Sequence, residues 1–285
     1  MRSQIIDIIF NISGQEDAFE QLEQMYLNMA KEELAQEIVQ VGIMPEVFDH
    51  DSSEEKMWSK FSDIILSNCL NHLGMKSQVI RTRGNSADVY SIGEGYTLVS
   101  DAKCFRLSRT AKNQKDFKIK ALDDWRRQDT FALLVAPLYQ YPADRSQIYP
   151  QAITRNVTLL SYTHLRFLLE NGQNLSLQPI WEIGKVLNTK FSTAEKQTGI
   201  AYWEAVDTTM SEICGLKISD LKHYKQAEIN ETRELGQEGI TYWESKIAEF
   251  NKLTREEAIK MLIRSQKIDQ KIQTINRVIS RKYVI

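Results

Sequence analysis

Two aspartates and a lysine are the residues of this chain best suited to chemistry. Asp101 and Lys103 stand two apart at the end of the run YTLVSDAK, and Asp88 opens an earlier run, DVYSI, with Gly93, Glu94 and Gly95 between the two. Strand-like runs joined by a glycine-containing turn predict a hairpin. Side chains two apart on a strand share a face, so Asp101 and Lys103 project together, and a hairpin partner can bring Asp88 to that face. Paired carboxylates hold a hard divalent cation such as Mg²⁺, which prefers oxygen ligands and keeps several waters. Such an ion activates water and neutralises charge developing on a phosphate, and an ammonium beside it positions the water or stabilises the pentavalent state. Ordinary surface charge clusters produce D-x-K as well, so the spacing needs support from its neighbours.

That support follows directly along the chain. Residues 103–120 hold seven Lys/Arg (Lys103, Arg106, Arg109, Lys112, Lys115, Lys118, Lys120) against one acid, Asp116, in a protein whose net charge is −2. A local balance of +6 is an electrostatic footprint for a polyanion. The stretch SRTAKNQKDFKIKALDDWRRQ predicts a helix starting near Ser108 or Thr110, with Phe117, Ala121 and Trp125 as its buried stripe. Its basic residues recur every three, advancing 300° each, so they spread over a surface that could follow a phosphate backbone. Asn113 and Gln114 match the adenine edge of the major groove and Lys112 and Lys115 suit guanine or phosphate, at a helix start where recognition helices touch bases. A solvated basic face, with Asn113 bonding only local backbone, is the alternative.

The run DAKCFRLSRTAKNQKDFKIKAL, with RGNSADV before it and QYP and SQIY after it, resembles the HindIII-type restriction endonucleases of the PD-(D/E)xK nuclease superfamily. The resemblance is dense over residues 42–162, thinner in the amino-terminal helices and weak after about residue 175. It implies a type II restriction endonuclease that cleaves double-stranded DNA with Mg²⁺, Mn²⁺ substituting, at the palindrome AAGCTT after the first adenine. It implies Asp88, Asp101 and Lys103 as catalytic residues, with metal held by Asp88, Asp101 and the Ala102 carbonyl. Arg106, Arg109, Lys112, Asn113, Gln114, Lys115 and Lys118 are the expected DNA-binding residues. A homodimer is expected on the palindrome, and a methyltransferase of the same system is a functional partner without physical contact. Ala87 stands where many superfamily members have proline, a position that shapes backbone and carries no chemistry.

The elements that must position these residues are legible in outline. Residues 1–41 predict helices, closed by Gly42 and Pro45. Ser52 followed by Glu55 predicts a capping box, and Gly74 a stop, for a helix burying Trp58, Phe61, Ile65 and Cys69. Superfamily members often carry an acid on this helix near the metal; Glu55 is the candidate, with a purely structural cap as the equal alternative. DTFALLVAP and NVTLLSY predict buried strands and THLRFLLENG a closing helix. The expected fold is α/β, a mixed central sheet flanked by helices, with a nuclease core over residues 1–175 and an all-helical region over 176–285. There, Ile268, Ile272, Ile275 and Ile279 form a heptad-like stripe, and residues 252–285 hold nine Lys/Arg against three acids.

Composition excludes several other classes. Cys69, Cys104 and Cys214 lie far apart without paired spacing, which argues against a disulfide frame and a zinc site, and the four histidines are equally scattered. Nothing reaches the apolar length of a membrane span, so a cytoplasmic protein with no membrane partner is expected. Two other readings remain beside the restriction enzyme. A repair or recombination nuclease of the same superfold would need little base readout, against the amides Asn113 and Gln114. An inactive DNA-binding protein would have no need to keep Asp88, Asp101 and Lys103 together.

Overall fold

A computed structural model of the chain describes residues 2–81, 86–109, 114–172, 175–191 and 196–279. Its centre is a five-stranded mixed sheet in the order β1-β2-β3-β4-β5, formed by Lys76–Val79, Val89–Ile92, Thr97–Ala102, Phe131–Ala136 and Val157–Ser161. The first three strands pair antiparallel and the last three parallel. β4 and β5 are buried at every position, as continuous apolar runs covered on both faces must be. The edge strand β1 (Lys76–Val79) was not legible in the sequence: its run KSQV is short, polar and mostly solvent-facing. The β2–β3 turn closes with Gly93 N donating to Tyr96 O at 2.9 Å, and Gly95 takes φ +78°, where a side chain would be strained.

The helices α1 (Arg2–Ile12), α2 (Ala18–Tyr26) and α3 (Lys31–Val41) fill the amino-terminal stretch as the spacing predicts. α4 (Ser53–His72) is the long helix across the sheet, and Ser52 caps it by accepting from Glu55 N at 3.1 Å. Its expected core residues Trp58, Phe61, Ile65 and Cys69 are all buried. α5 (Ile119–Arg126) and α6 (Ile148–Arg155) provide the crossovers that parallel pairing requires, and α7 (Tyr162–Asn171) closes the sheet.

The helix expected from Ser108 or Thr110 is corrected. Among the described residues, a single 3-10 turn spans Gln114–Asp116 and α5 starts only at Ile119, because Lys118 takes a left-handed φ of 45°. Tertiary contacts outcompete helix propensity here. Ser108 donates from N and Oγ to Glu46 at 3.0 and 2.7 Å, Arg109 pairs with Asp116 at 2.6 Å, and Phe117 stacks on Tyr141. The buried set is Phe117, Ile119 and Leu122, with Ala121 and Trp125 only partly covered.

After residue 175 the described elements are helical: α8 (Gln178–Trp181), α9 (Ile183–Lys190), α10 (Gly199–Cys214), α11 (Ile218–Phe250), α12 (Arg255–Ser265) and α13 (Ile268–Ile279). The chain divides into two compact units, Met1–Gly236 and Gln237–Ile285. The first therefore extends past residue 175, with Trp181, Tyr202, Val206, Met210 and Leu221 buried in its core. Glu228 of α11 is buried and accepts from Leu138 N at 2.9 Å and from Thr163 Oγ1, pinning the helix to the ends of β4 and α7. In the second unit Lys267, φ 52°, separates α12 from α13. The isoleucine stripe of α13 is exposed, from 39% at Ile268 to 73% at Ile279.

Candidate active site

The hairpin register does what the spacing requires. Val89 lies opposite Ser100 and Asp88 N donates to Ser100 O at 3.2 Å, so Asp88 stands beside Asp101 at the head of the two strands. Asp101 is almost fully buried, and the Lys103 ammonium lies 2.6 Å from its Oδ1 and 2.5 Å from its Oδ2. Backbone contacts fix Lys103: its N donates to Val135 O at 2.8 Å, and Tyr162 Oη donates to its carbonyl at 3.1 Å. Gly42 makes room for that tyrosine, since a Cβ there would lie 2.6 Å from the Tyr162 ring. Phe105 N donates to Gly42 O at 3.0 Å, tying the chain just past the lysine to the end of α3.

A third acid joins from α4. Oxygens of Asp63, Asp88 and Asp101 all lie within 4.8 Å of one another. Sequence reasoning missed Asp63 and considered Glu55 instead. The available signal was FSDIIL, an acid inside a helical run whose neighbours Phe61, Ile64 and Ile65 are all core, leaving it no solvent face. Glu55 sits elsewhere, accepting from Arg106 Nη1 at 2.6 Å and Asp51 N at 2.5 Å, with His50 Nδ1 at 3.3 Å. Lys60, one turn before Asp63, reaches Asp63 Oδ2 at 3.2 Å and Asp88 Oδ1 at 2.9 Å.

The electrostatics follow from crowding three carboxylates in a poorly hydrated corner. Burial, then repulsion from Asp88, pushes Asp63 well above the usual carboxylate range. Burial also raises Asp101, with Lys103 opposing and Asp88 reinforcing. Burial works against protonated Lys103, but Asp101 and the other acids outweigh it and hold the ammonium above its ordinary value. Lys60 behaves alike: desolvation is outweighed by Asp63 and Asp88, and it is pushed up to about 12. Cys104 is a partly buried thiol pushed up to about 11, chiefly by desolvation, which makes it a poor nucleophile.

The donor set fits a hard divalent cation. It is all oxygen, and Asp101 Oδ2, though in ion-pair contact with Lys103, is buried and accepts no well-directed hydrogen bond. Of the residues expected to touch DNA, Lys112, Asn113 and the Gln114 side chain lie outside the described residues. Lys115 and Lys118 are exposed, and the Lys118 charge is near enough to act on Asp101. Arg109 is exposed beside Asp116. Arg106 is engaged: besides Glu55 it donates to Phe48 O at 2.7 Å and is largely covered.

The family described as HindIII restriction endonuclease matches residues 4–279. The type II restriction enzyme HindIII of Haemophilus influenzae is 34% identical over 280 residues, covering 95% of this chain and 93% of that protein.

Proposed function

The chain belongs to the HindIII restriction endonuclease family and is a type II site-specific deoxyribonuclease acting on double-stranded DNA, and we propose that it does so with Mg²⁺ at Asp88, Asp101 and Lys103. The observation that carries this reading is the convergence of Asp88, Asp101 and the Lys103 ammonium at one end of the β2–β3 pair, with Asp63 beside them. Asp88, Asp101 and the Ala102 carbonyl would hold the cation, and Mn²⁺, equally an oxygen-seeking ion, would substitute. When bound, the cation supplies Lewis acidity, lowering the pKa of water and offsetting charge on the phosphate oxygens. Lys103 orients the water that adds to phosphorus and stabilises the added negative charge as one P–O ester bond breaks. Arg109, Lys115 and Lys118 bind backbone phosphates, while Lys112, Asn113 and Gln114 read base edges.

The proposed site is the palindrome AAGCTT, cut after the first adenine on each strand by a homodimer. The protein acts in the cytoplasm, and a methyltransferase of the same system protects the host's own sites. No helix among the described residues is long and apolar enough to cross a membrane. Digesting a plasmid of known sequence with Mg²⁺ and mapping the fragment ends tests the whole reading. Discrete ends at AAGCTT are expected; preferential cleavage of branched DNA, or binding with no cleavage, would sink it.

A further inference from the structure

Lys60 is a charged residue at the site that the reaction above does not use. Lys103 holds both oxygens of Asp101, while Lys60 spans Asp63 and Asp88, so two ammoniums divide three carboxylates between them. The two lysines are not equivalent. The Lys103 side chain is enclosed and its backbone is fixed on both sides, whereas the Lys60 side chain is 40% exposed and reaches in from α4 on a flexible stem. It meets Asp88, the most accessible of the three acids at 33% side-chain exposure, on the side by which an ion from solvent would enter.

Three carboxyl groups already face two ammoniums, so a divalent ion added with both lysines in place would leave surplus positive charge in a corner where two of the acids are buried. The ammonium holds Asp88 Oδ1 at 2.9 Å, one of the two oxygens through which that carboxylate could meet a divalent ion, and a cation drawing Oδ1 in to about 2.1 Å would have to displace it. We infer that Lys60 is an internal counter-cation that competes with the divalent ion for the Asp88 carboxylate and swings away as the ion is taken up, so that it sets the metal affinity of the site. This rests on the assignment of Asp88 and Asp101 as the metal-holding pair.

Binding of Mn²⁺ to the full-length, DNA-free protein, read from the free-ion electron paramagnetic resonance signal, tests it without any cleavage step. Lys60→Met and Lys60→Gln, which keep the stem or a polar end but lose the charge, should bind Mn²⁺ at least about tenfold more tightly than wild type. Lys60→Arg, which keeps the charge, should stay within about twofold. Unchanged or weaker binding by both neutral variants overturns the inference. Asp101→Asn is measured alongside: if it leaves Mn²⁺ binding intact, the metal site itself is misassigned, whereas its loss of binding with no effect of the Lys60 variants defeats the counter-cation alone. Should both neutral variants fold only with the ion, the dependence of their Tm on Mn²⁺ replaces the affinity. A steeper rise than wild type supports competition, and an equal or shallower one removes it.

Discussion

At the scale of single residues, the site is a group of charges that would be unstable without compensation. Asp101→Asn removes one carboxylate of the proposed metal-holding pair, and Lys103→Ala removes the ammonium beside it. Each should lower the cleavage rate by about 10²–10³-fold, and for Asp101→Asn, which loses a negative charge, duplex affinity should stay equal or rise slightly. Near wild-type cutting by Asp101→Asn in Mg²⁺ would mean the wrong residues. Asp63 makes a separate prediction through stability. Its folded-state pKa, like that of Asp101, lies above the unfolded value, so the folded protein holds protons to higher pH than the unfolded chain. Folding stability of the ion-free protein therefore falls as pH rises from the ordinary carboxylate value through the raised folded values. Asp63→Asn should stabilise the ion-free protein at neutral pH by about 1 kcal/mol, a Tm increase of about 2–4 °C, and flatten that pH dependence. A fall in Tm in calorimetry without metal would show that the Lys60 pairing outweighs the crowding.

At the scale of elements, the segment between β3 and α5 carries scaffold contacts beside the proposed DNA contacts, and the two should respond differently to mutation. Arg106 links it to Glu55 at the start of α4 and to the Phe48 carbonyl. Arg106→Ala should therefore cost about 2 kcal/mol of stability in urea unfolding, since it strands partly buried acceptors. Lys118 is exposed at the mouth of α5. Lys118→Ala should leave stability alone, weaken binding to every sequence alike, and lower the salt slope of DNA binding by about one unit. Asn113 is a neutral amide among cations and adds no net attraction to phosphate. Asn113→Ala should lose about 1–3 kcal/mol of discrimination at one adenine, read by competition against single-base variants of the site. Equal loss on all variants would move the base reader elsewhere.

At the scale of the whole molecule, cutting both strands of a palindrome calls for two active centres related by a two-fold axis. The unit Gln237–Ile285 carries exposed apolar residues on each of its helices, among them Ile247, Leu262, Ile272, Ile275 and Ile279. Such density on a monomer's surface is unusual, and a seam along the isoleucine row of α13 would cover part of it. Light scattering of the DNA-free protein at micromolar concentration should give about twice the 33.0 kDa chain mass. A clean monomer, free and on its DNA site, would exclude the dimer.

What the sequence by itself determined is what short-range patterning controls. The alternation of DVYSI and YTLVSDAK, with its glycine turn, was enough to bring Asp88 level with Asp101, because hairpin register follows from turn and strand parity. The apolar stripe of α4 and the buried runs of β4 and β5 were legible because burial follows apolar patterning. Tertiary structure alone decided the rest. Asp63 and Lys60 belong to the site because α4 packs its one buried acid against the head of β3, a distance in space that no periodicity encodes. The basic segment is not one helix because Glu46, Asp116 and Tyr141, all remote from the residues they hold or on the far side of a turn, offered its backbone and side chains better partners than helical hydrogen bonds. Propensity is worth tenths of a kcal/mol per residue, and a few buried polar and aromatic contacts exceed it.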